Sequence, residues 1–221
     1  MRAIADFAYP HHCLGCDALV RGGLCRSCIR ALPTVEPKDA TDSPAEPALP
    51  YDCARQRFRF EGLVRDAVHR LKYRGEWALA EALGAEIALL LPEDRQAAIT
   101  FVPMSEKKLR DRGFDHAHLL AEEAAAQIGS TVVSLLVRSF DTPPQVFLDP
   151  VERRVSPQGS MRCRLPAPES VIVIDDVFTT GATCMEAARA LKAGGASWVM
   201  VAALARSFPH SRGSSRGRPA I

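Results

Sequence analysis

The sequence predicts an α/β protein, a parallel sheet flanked by helices with a small cysteine-rich module ahead of it. Three observations carry this reading. Short apolar or β-branched runs, ITFVP (99–103), TVVSLLV (131–137), VIVI (171–174) and WVMVAALA (198–205), alternate with stretches of helical periodicity. That alternation is the signature of parallel strands joined by crossover helices. VIVI is apolar at every position, as expected of a strand covered on both faces. Four cysteines stand as two pairs within the first 28 residues, before a proline-rich stretch.

The chain divides by composition into a cysteine-rich module (9–32), a linker (33–50), an α/β body (51–206) and a basic tail (207–221). The linker holds five of the sixteen prolines among acidic residues, so it is predicted to be extended and poorly ordered. In the body, Leu63, Ala67, Val68 and Leu71 recur at helical spacing, and Ala78, Leu79, Leu83, Ile87, Leu90 and Leu91 continue it in a second helix beyond Gly75. Residues 114–128 predict an alanine-rich helix. Residues 139–166 carry no clear periodicity and predict a long loop, of a length usually functional or mobile. A helix over about 183–193, ended by Gly194-Gly195, joins VIVI to the last strand.

The formal charge of the 221 residues is +2, yet the last sixteen hold Arg206, Arg212, Arg216 and Arg218 with no acid. The preceding body is therefore slightly acidic and offers no global basic field to a polyanion. No stretch approaches the roughly 18 apolar residues of a membrane span, and the first residues lack a signal-peptide core. The expectation is a cytoplasmic protein without membrane insertion, whose seven cysteines serve metal binding or buried thiols before disulfides.

Asp175-Asp176 follow VIVI at the carboxyl end of its strand, where open α/β sheets place ligands. Buried carboxylates need partners, and sugar hydroxyls or a divalent cation would supply them. Thr179, Thr180, Gly181, Ala182 and Thr183 then open a helix, whose free N–H groups and dipole favour a phosphate. Gly181 permits close backbone approach to the anion. A plain strand end with a threonine cap accounts for one such residue but poorly for the whole run. Neither a G-x-x-x-x-G-K-[ST] loop nor a G-x-G-x-x-G fingerprint after a strand is present. The run VIVIDDVFTTGAT resembles the phosphoribosyl pyrophosphate motif of type I phosphoribosyltransferases. That resemblance implies that Asp175 and Asp176 hold the ribose hydroxyls and Thr179, Thr180, Gly181, Ala182 and Thr183 wrap the 5′-phosphate.

Cys13-x-x-Cys16 and Cys25-x-x-Cys28 are separated by eight residues that include Gly22-Gly23. Four thiolates so spaced can close a tetrahedral zinc site, structural because no position stays open for water; an iron–sulfur cluster is compatible with any such set. His11 and His12 fall outside a saturated shell, and Cys53, Cys163 and Cys184 are expected as buried inert thiols.

Two basic stretches remain. Lys107, Lys108, Arg110 and Arg112 lead into Gly113 and form either a solvated helix start or a second anion loop. In LKYRG (71–75), two cations flank a tyrosine, which suits a helix C-terminus as well as a ligand. Taken in order, the cysteine pairs, LKYRG, VPMSEKKLRDRGFDHA, QVFLDPVERR and the 171–183 motif resemble the ComF family, linked to natural competence and often described as amidophosphoribosyltransferase-like. The resemblance implies phosphoribosyl pyrophosphate with Mg²⁺ as ligand, transfer of phosphoribosyl to a nitrogen acceptor, Lys72, Arg110, Arg112 and Gly113 on the pyrophosphate or nucleic-acid side, and Arg153 and Arg154 on a mobile loop. It also implies a non-catalytic alternative, binding of single-stranded DNA beside a DNA-uptake helicase. Two departures stand out. Gly113-Phe114-Asp115-His116 replaces the usual G-F-N-Q, putting a carboxylate near the anion site, and residues 155–161 replace R-x-N-V-x-G-A-F.

Overall fold

In the computed structural model, residues 11–36, 49–93, 95–138 and 159–208 are described. The elements in chain order are β1 (His11–His12), β2 (Leu19–Val20), α1 (Arg26–Arg30), β3 (Cys53–Arg59), α2 (Gly62–Arg74), α3 (Ala78–Ala88), β4 (Ala98–Phe101), α4 (Glu106–Arg112), α5 (His116–Gln127), β5 (Leu136–Arg138), β6 (Met161–Cys163), β7 (Ser170–Phe178), α6 (Ala182–Ala193) and β8 (Trp198–Arg206). The main sheet has the order β3-β8-β7-β4, with every pair parallel.

Strand side chains alternate between faces, and β7 and β8 use both. Ile172, Ile174, Met200, Ala202 and Leu204 meet a core that includes Val68 and Leu71 of α2, Leu83 and Ile87 of α3, and Leu120 and Ala124 of α5. Val171, Val173, Val199, Val201 and Ala203 face Ala187 and Leu191 of α6 together with Leu135, Leu136 and Met161. This two-sided burial is why both strands lack polar interruptions until the acidic pair. The expected fold class, a parallel sheet flanked by helices behind an N-terminal four-cysteine module, is the architecture found.

The local differences have physical reasons. β7 continues through Phe178, because Asp175 and Val177 stay in register with Ala203 and Ala205 of β8. The expected strand over 131–137 is reduced to one parallel bridge, Val132 with Ile99, and the short β5; Val133 N–H reaches the Ile99 carbonyl, and Leu135 N–H donates to Thr100 Oγ1. β6 lies in the expected loop and pairs antiparallel with β5. β3 was not expected: its buried positions are Ala54, Gln56 and Phe58, and its other face carries Arg55, Arg57 and Arg59.

The cysteine module is docked on the body. Cys13, Leu24 and Leu32 belong to the same core as Leu79 and Leu83, and a Cβ on Gly23 would lie 2.8 Å from a Leu79 methyl carbon. Beyond α1 the chain runs along the outer edge of β3, where Arg59 N–H donates to the Pro33 carbonyl, Val35 N–H donates to that of Arg57, and Thr34 bridges Phe58. Residues 37–48 of the linker and 209–221 of the tail lie outside the described residues.

Candidate ligand site and metal centre

Asp175 and Asp176 are 8% and 5% exposed at the carboxyl end of β7. Because the strand pleat continues through them, the pair splits between the two faces of the sheet. Asp175 accepts from the Cys184 thiol of α6 (3.7 Å), whereas Asp176 Oδ2 meets Lys72 Nζ of α2 and lies 2.9 Å from His116 Nε2 of α5. Backbone donors fix both carboxylates: Asp176 N–H donates to Asp175 Oδ1 (2.8 Å) and Val177 N–H to Asp176 Oδ1 (2.6 Å).

The two acids ionise differently for identifiable reasons. Burial, reinforced by the neighbouring Asp176 charge, pushes Asp175 up to about 7 against the pull of Lys72. Burial also opposes ionisation of Asp176, but Lys72 and His116 outweigh it and hold that carboxyl well below the usual range. His116 Nδ1 lies 2.9 Å from Arg112 Nη1. A guanidinium can only donate, so Nδ1 accepts and the imidazole proton sits on Nε2, aimed at Asp176. Arg112 in turn lies over the Tyr73 ring, 4.9 Å from its centroid.

After β7 the chain turns at Gly181, whose φ of +75° is left-handed; a Cβ there would also stand 2.6 Å from the Phe178 ring. Glycine is thus required twice at this corner. Thr179 and Thr180 are exposed, Thr180 Oγ1 accepts from Ala182 N–H (3.4 Å), and no side chain at Gly181 caps the twelve-residue α6. Thr183, Asp175, Asp176, Lys72, His116 and Arg112 share a cavity of about 270 Å³ that Lys108 and Arg138 also line. Adjoining it, a cleft of about 540 Å³ is lined by Lys72, Tyr73, Lys108 and Arg112 again, together with Gly75, Trp77, Asp111 and Phe114.

Of the expected cations, Lys72 and Arg112 come together here. Arg110 does not: it is exposed on α4, 3.6 Å from Glu106, and lines neither cavity, while Lys108 lines both. Gly113 supplies a left-handed corner (φ +82°) that ends α4. Arg153 and Arg154 lie outside the described residues. Asp115 does not face the anion cavity as its place in the sequence suggested. Its carboxylate caps α5 at Ala117 and His118 N–H (3.0 and 3.3 Å) and accepts from Met104 N–H (2.9 Å). Sequence reasoning missed His116 and Arg138, whereas Lys108 stood in the basic stretch read as a solvated helix start or a second anion loop. Of the two missed, only His116 carried a signal, as the second half of the departure from G-F-N-Q.

In the N-terminal module, the Sγ atoms of Cys13, Cys16, Cys25 and Cys28 all lie within 4.8 Å of one another, and the Cys16 and Cys25 sulfurs are 3.7 Å apart. A tetrahedron with Zn–S bonds of about 2.3 Å has edges of about 3.8 Å, so the donor set fits zinc. Cys25 N–H donates to Cys13 Sγ (3.3 Å) and Cys28 N–H to Cys25 Sγ (3.4 Å), and a Cβ on Gly15 would come within 2.7 Å of Cys28 Sγ. Burial opposes ionisation of Cys13, but N–H donors from Cys25, Gly15 and Cys16 pull it down to about 6, while the crowd of Cys25, Cys13 and Cys16 pushes Cys28 up to about 12. Four such thiols ionise together only around a cation. His12 is exposed and pairs with Asp17 outside this shell.

Sheet and module define the class, an α/β protein whose parallel sheet presents a buried acidic pair at its carboxyl edge behind a module of four clustered cysteines that could hold a metal ion. No family model matches the chain. Its relatives include proteins named for DNA utilization and for competence. It is 29% identical to the DNA utilization protein YhgH of Salmonella typhimurium over 216 residues, which is 86% of this chain and 93% of that protein. It is 29% identical to YhgH of Escherichia coli K12 over 150 residues, 64% of this chain and just under two thirds (66%) of that protein. Competence protein ComFC of Bacillus subtilis is 26% identical over 142 residues, 62% of this chain and 57% of its own length. The chain is thus homologous to the ComFC and YhgH proteins, in line with the ComF resemblance of its motifs. A solved structure of the allosteric regulatory enzyme of purine biosynthesis superposes with a TM-score of 0.38 at 18% identity, over 58% of this chain and 26% of that one, too loose a match to bear on the fold. Among the described residues no helix is long and apolar enough to cross a membrane.

Proposed function

We propose that the 171–183 site binds phosphoribosyl pyrophosphate with Mg²⁺ and acts in phosphoribosyl transfer to a nitrogen acceptor. The observation that carries this reading is the shared cavity of Asp175, Asp176 and Thr183 with Lys72, Lys108 and Arg112, which sets diol acceptors beside phosphate donors. Asp175 and Asp176 position the ribose hydroxyls, and the Thr179–Thr183 loop with the first N–H groups of α6 takes the 5′-phosphate. Lys72, Lys108 and Arg112 face the pyrophosphate, with Arg153 and Arg154 as further cations. Mg²⁺ would enter on the pyrophosphate and shield its charge, since Lys72 and His116 already occupy Asp176. In transfer, the C1–O bond to pyrophosphate breaks with its electron pair leaving on pyrophosphate. The acceptor nitrogen bonds to C1 and loses a proton. Electrostatic stabilisation of the leaving group would supply most of the rate.

A melting experiment with Mg²⁺ and phosphoribosyl pyrophosphate tests binding without knowledge of the acceptor. At a hundred times Kd the native state gains about 2.7 kcal/mol, and Asp176→Asn should abolish the gain. A wild-type melting temperature that does not move at millimolar ligand sinks the reading.

A second reading, binding of single-stranded DNA beside a DNA-uptake helicase, is favoured by a run of alternating cations and rings next to the phosphate loop. Arg206 lies over Phe178 and Phe208 (5.7 and 5.2 Å), and Arg59 lies over Phe208 (4.3 Å). Such interleaving suits strand binding, and the relatives' names point to DNA. Strand affinity that falls with salt and with Arg112→Ala and Arg206→Ala supports it; affinity indifferent to both removes it.

A further inference from the structure

We infer that His116 is a positioning residue that couples the two halves of the phosphoribosyl pyrophosphate site, the ribose side at Asp176 and the pyrophosphate side at Arg112. The inference rests on the phosphoribosyl reading above and concerns how that site tells a whole ligand from its parts. Its ground is a chain of three groups from three elements. Arg112 Nη1 of α4 lies 2.9 Å from His116 Nδ1, and His116 Nε2 of α5 lies 2.9 Å from Asp176 Oδ2 of β7. All three side chains line the 270 Å³ cavity.

The imidazole is held firmly enough to act as a link. Its side chain is 12% exposed. The backbone that carries it is pinned by Asp115, whose carboxylate accepts from Ala117 and His118 N–H within α5 and from Met104 N–H beyond the end of β4. At the two ends of the chain of groups, Arg112 rests over the Tyr73 ring and Asp176 Oδ1 takes the Val177 N–H. A histidine that only neutralised a buried acid would have no use for a second contact with a cation of the cavity, since Lys72 already meets Asp176. A neutral imidazole accepts at one nitrogen and donates at the other, so it can serve both neighbours at once. Glutamine, the usual residue of the G-F-N-Q pattern, places its amide where Nε2 stands, and asparagine places its amide where Nδ1 stands. Histidine at 116 does in one ring what either amide does by half. A ligand that orders Arg112 therefore also orders the carboxylate that receives its ribose, and groups set in advance bind more tightly.

The test measures the affinity of the full 221-residue chain for three probes with Mg²⁺: phosphoribosyl pyrophosphate, inorganic pyrophosphate and ribose 5-phosphate. His116→Asn should keep the affinity for pyrophosphate and weaken that for ribose 5-phosphate about tenfold, the effect of one lost hydrogen bond to a charged group. His116→Gln should do the reverse. Both variants should weaken phosphoribosyl pyrophosphate about tenfold or more. Opposite losses from two amides are not what a packing defect gives. Equal losses of both partial ligands in both variants reduce His116 to a structural residue, and wild-type affinity for phosphoribosyl pyrophosphate in both removes the coupling; in either case the phosphoribosyl reading stands. Ring-nitrogen NMR spectra of the wild-type chain test the link with no ligand and no variant that must fold. The His116 proton belongs on Nε2, and a proton found on Nδ1 breaks the connection to Arg112 and overturns the inference. If the wild-type chain binds none of the three probes, the coupling and the phosphoribosyl reading fall together.

Discussion

At the scale of single residues, the acidic pair shows how neighbours set charge. Asp176 is a buried carboxylate kept ionised by Lys72 and His116. Lys72→Met removes one partner and should cost about 3 kcal/mol in urea denaturation, the lower end for a broken buried pair because the Lys72 side chain is 20% exposed. Asp175 behaves oppositely. Its carboxyl is raised to about 7, so the proton it retains stabilises the native state fully below about pH 4, and that contribution is lost as pH rises through 7. Asp175→Asn cannot ionise, so melting curves should show the variant gaining on the wild type from pH 5 to pH 8. A constant difference across that range would contradict the assignment. Asp175 and Asp176 were legible in the sequence because two acids directly after VIVI have no structural excuse. His116 was not, because its role depends on the β7 pleat turning Asp176 toward α5. Asp115 misled for a related reason, since a cap and a ligand carboxylate look alike in a sequence.

At the scale of elements, the turn into α6 concentrates the constraints. Gly181→Ala puts a methyl against the Phe178 ring at a left-handed φ, and should destabilise by about 1–3 kcal/mol in denaturant titration while weakening any phosphate bound at α6. Wild-type stability in that variant would refute the close approach. The helices were legible from apolar periodicity, and VIVI and WVMVAALA from continuous burial. β3 was hidden because its inward face includes Gln56 between Ala54 and Phe58, which spoils the alternation that marks a strand. TVVSLLV misled because β-branched composition expresses a preference that only pairing realises, and there just one bridge and three later residues pair.

At the scale of the whole molecule, the cysteine module is part of the main core and not a detachable bead. Structural zinc is worth about 10–16 kcal/mol in small fingers, as much as a whole domain's stability. Chelation, or Cys16→Ser, should therefore lower one cooperative melting transition by more than about 10 °C, with zinc release followed by elemental analysis. Two transitions, with the larger unmoved, would show that the module folds apart. The cysteine spacing foretold that the four sulfurs would cluster, but nothing in it foretold that Leu24 and Leu32 would pack with Leu79 and Leu83.

The strip of chain at Pro33–Val35 gives the module a further consequence. β3 is an outer strand of a parallel sheet, and an uncovered outer strand invites pairing with another molecule. By hydrogen-bonding along Arg57–Arg59, the segment leaving α1 closes that seam. Trimming the first 36 residues would thus expose a sticky border as well as remove the four clustered cysteines, so the truncated chain would self-associate through β3 even where its ligand cavity survived.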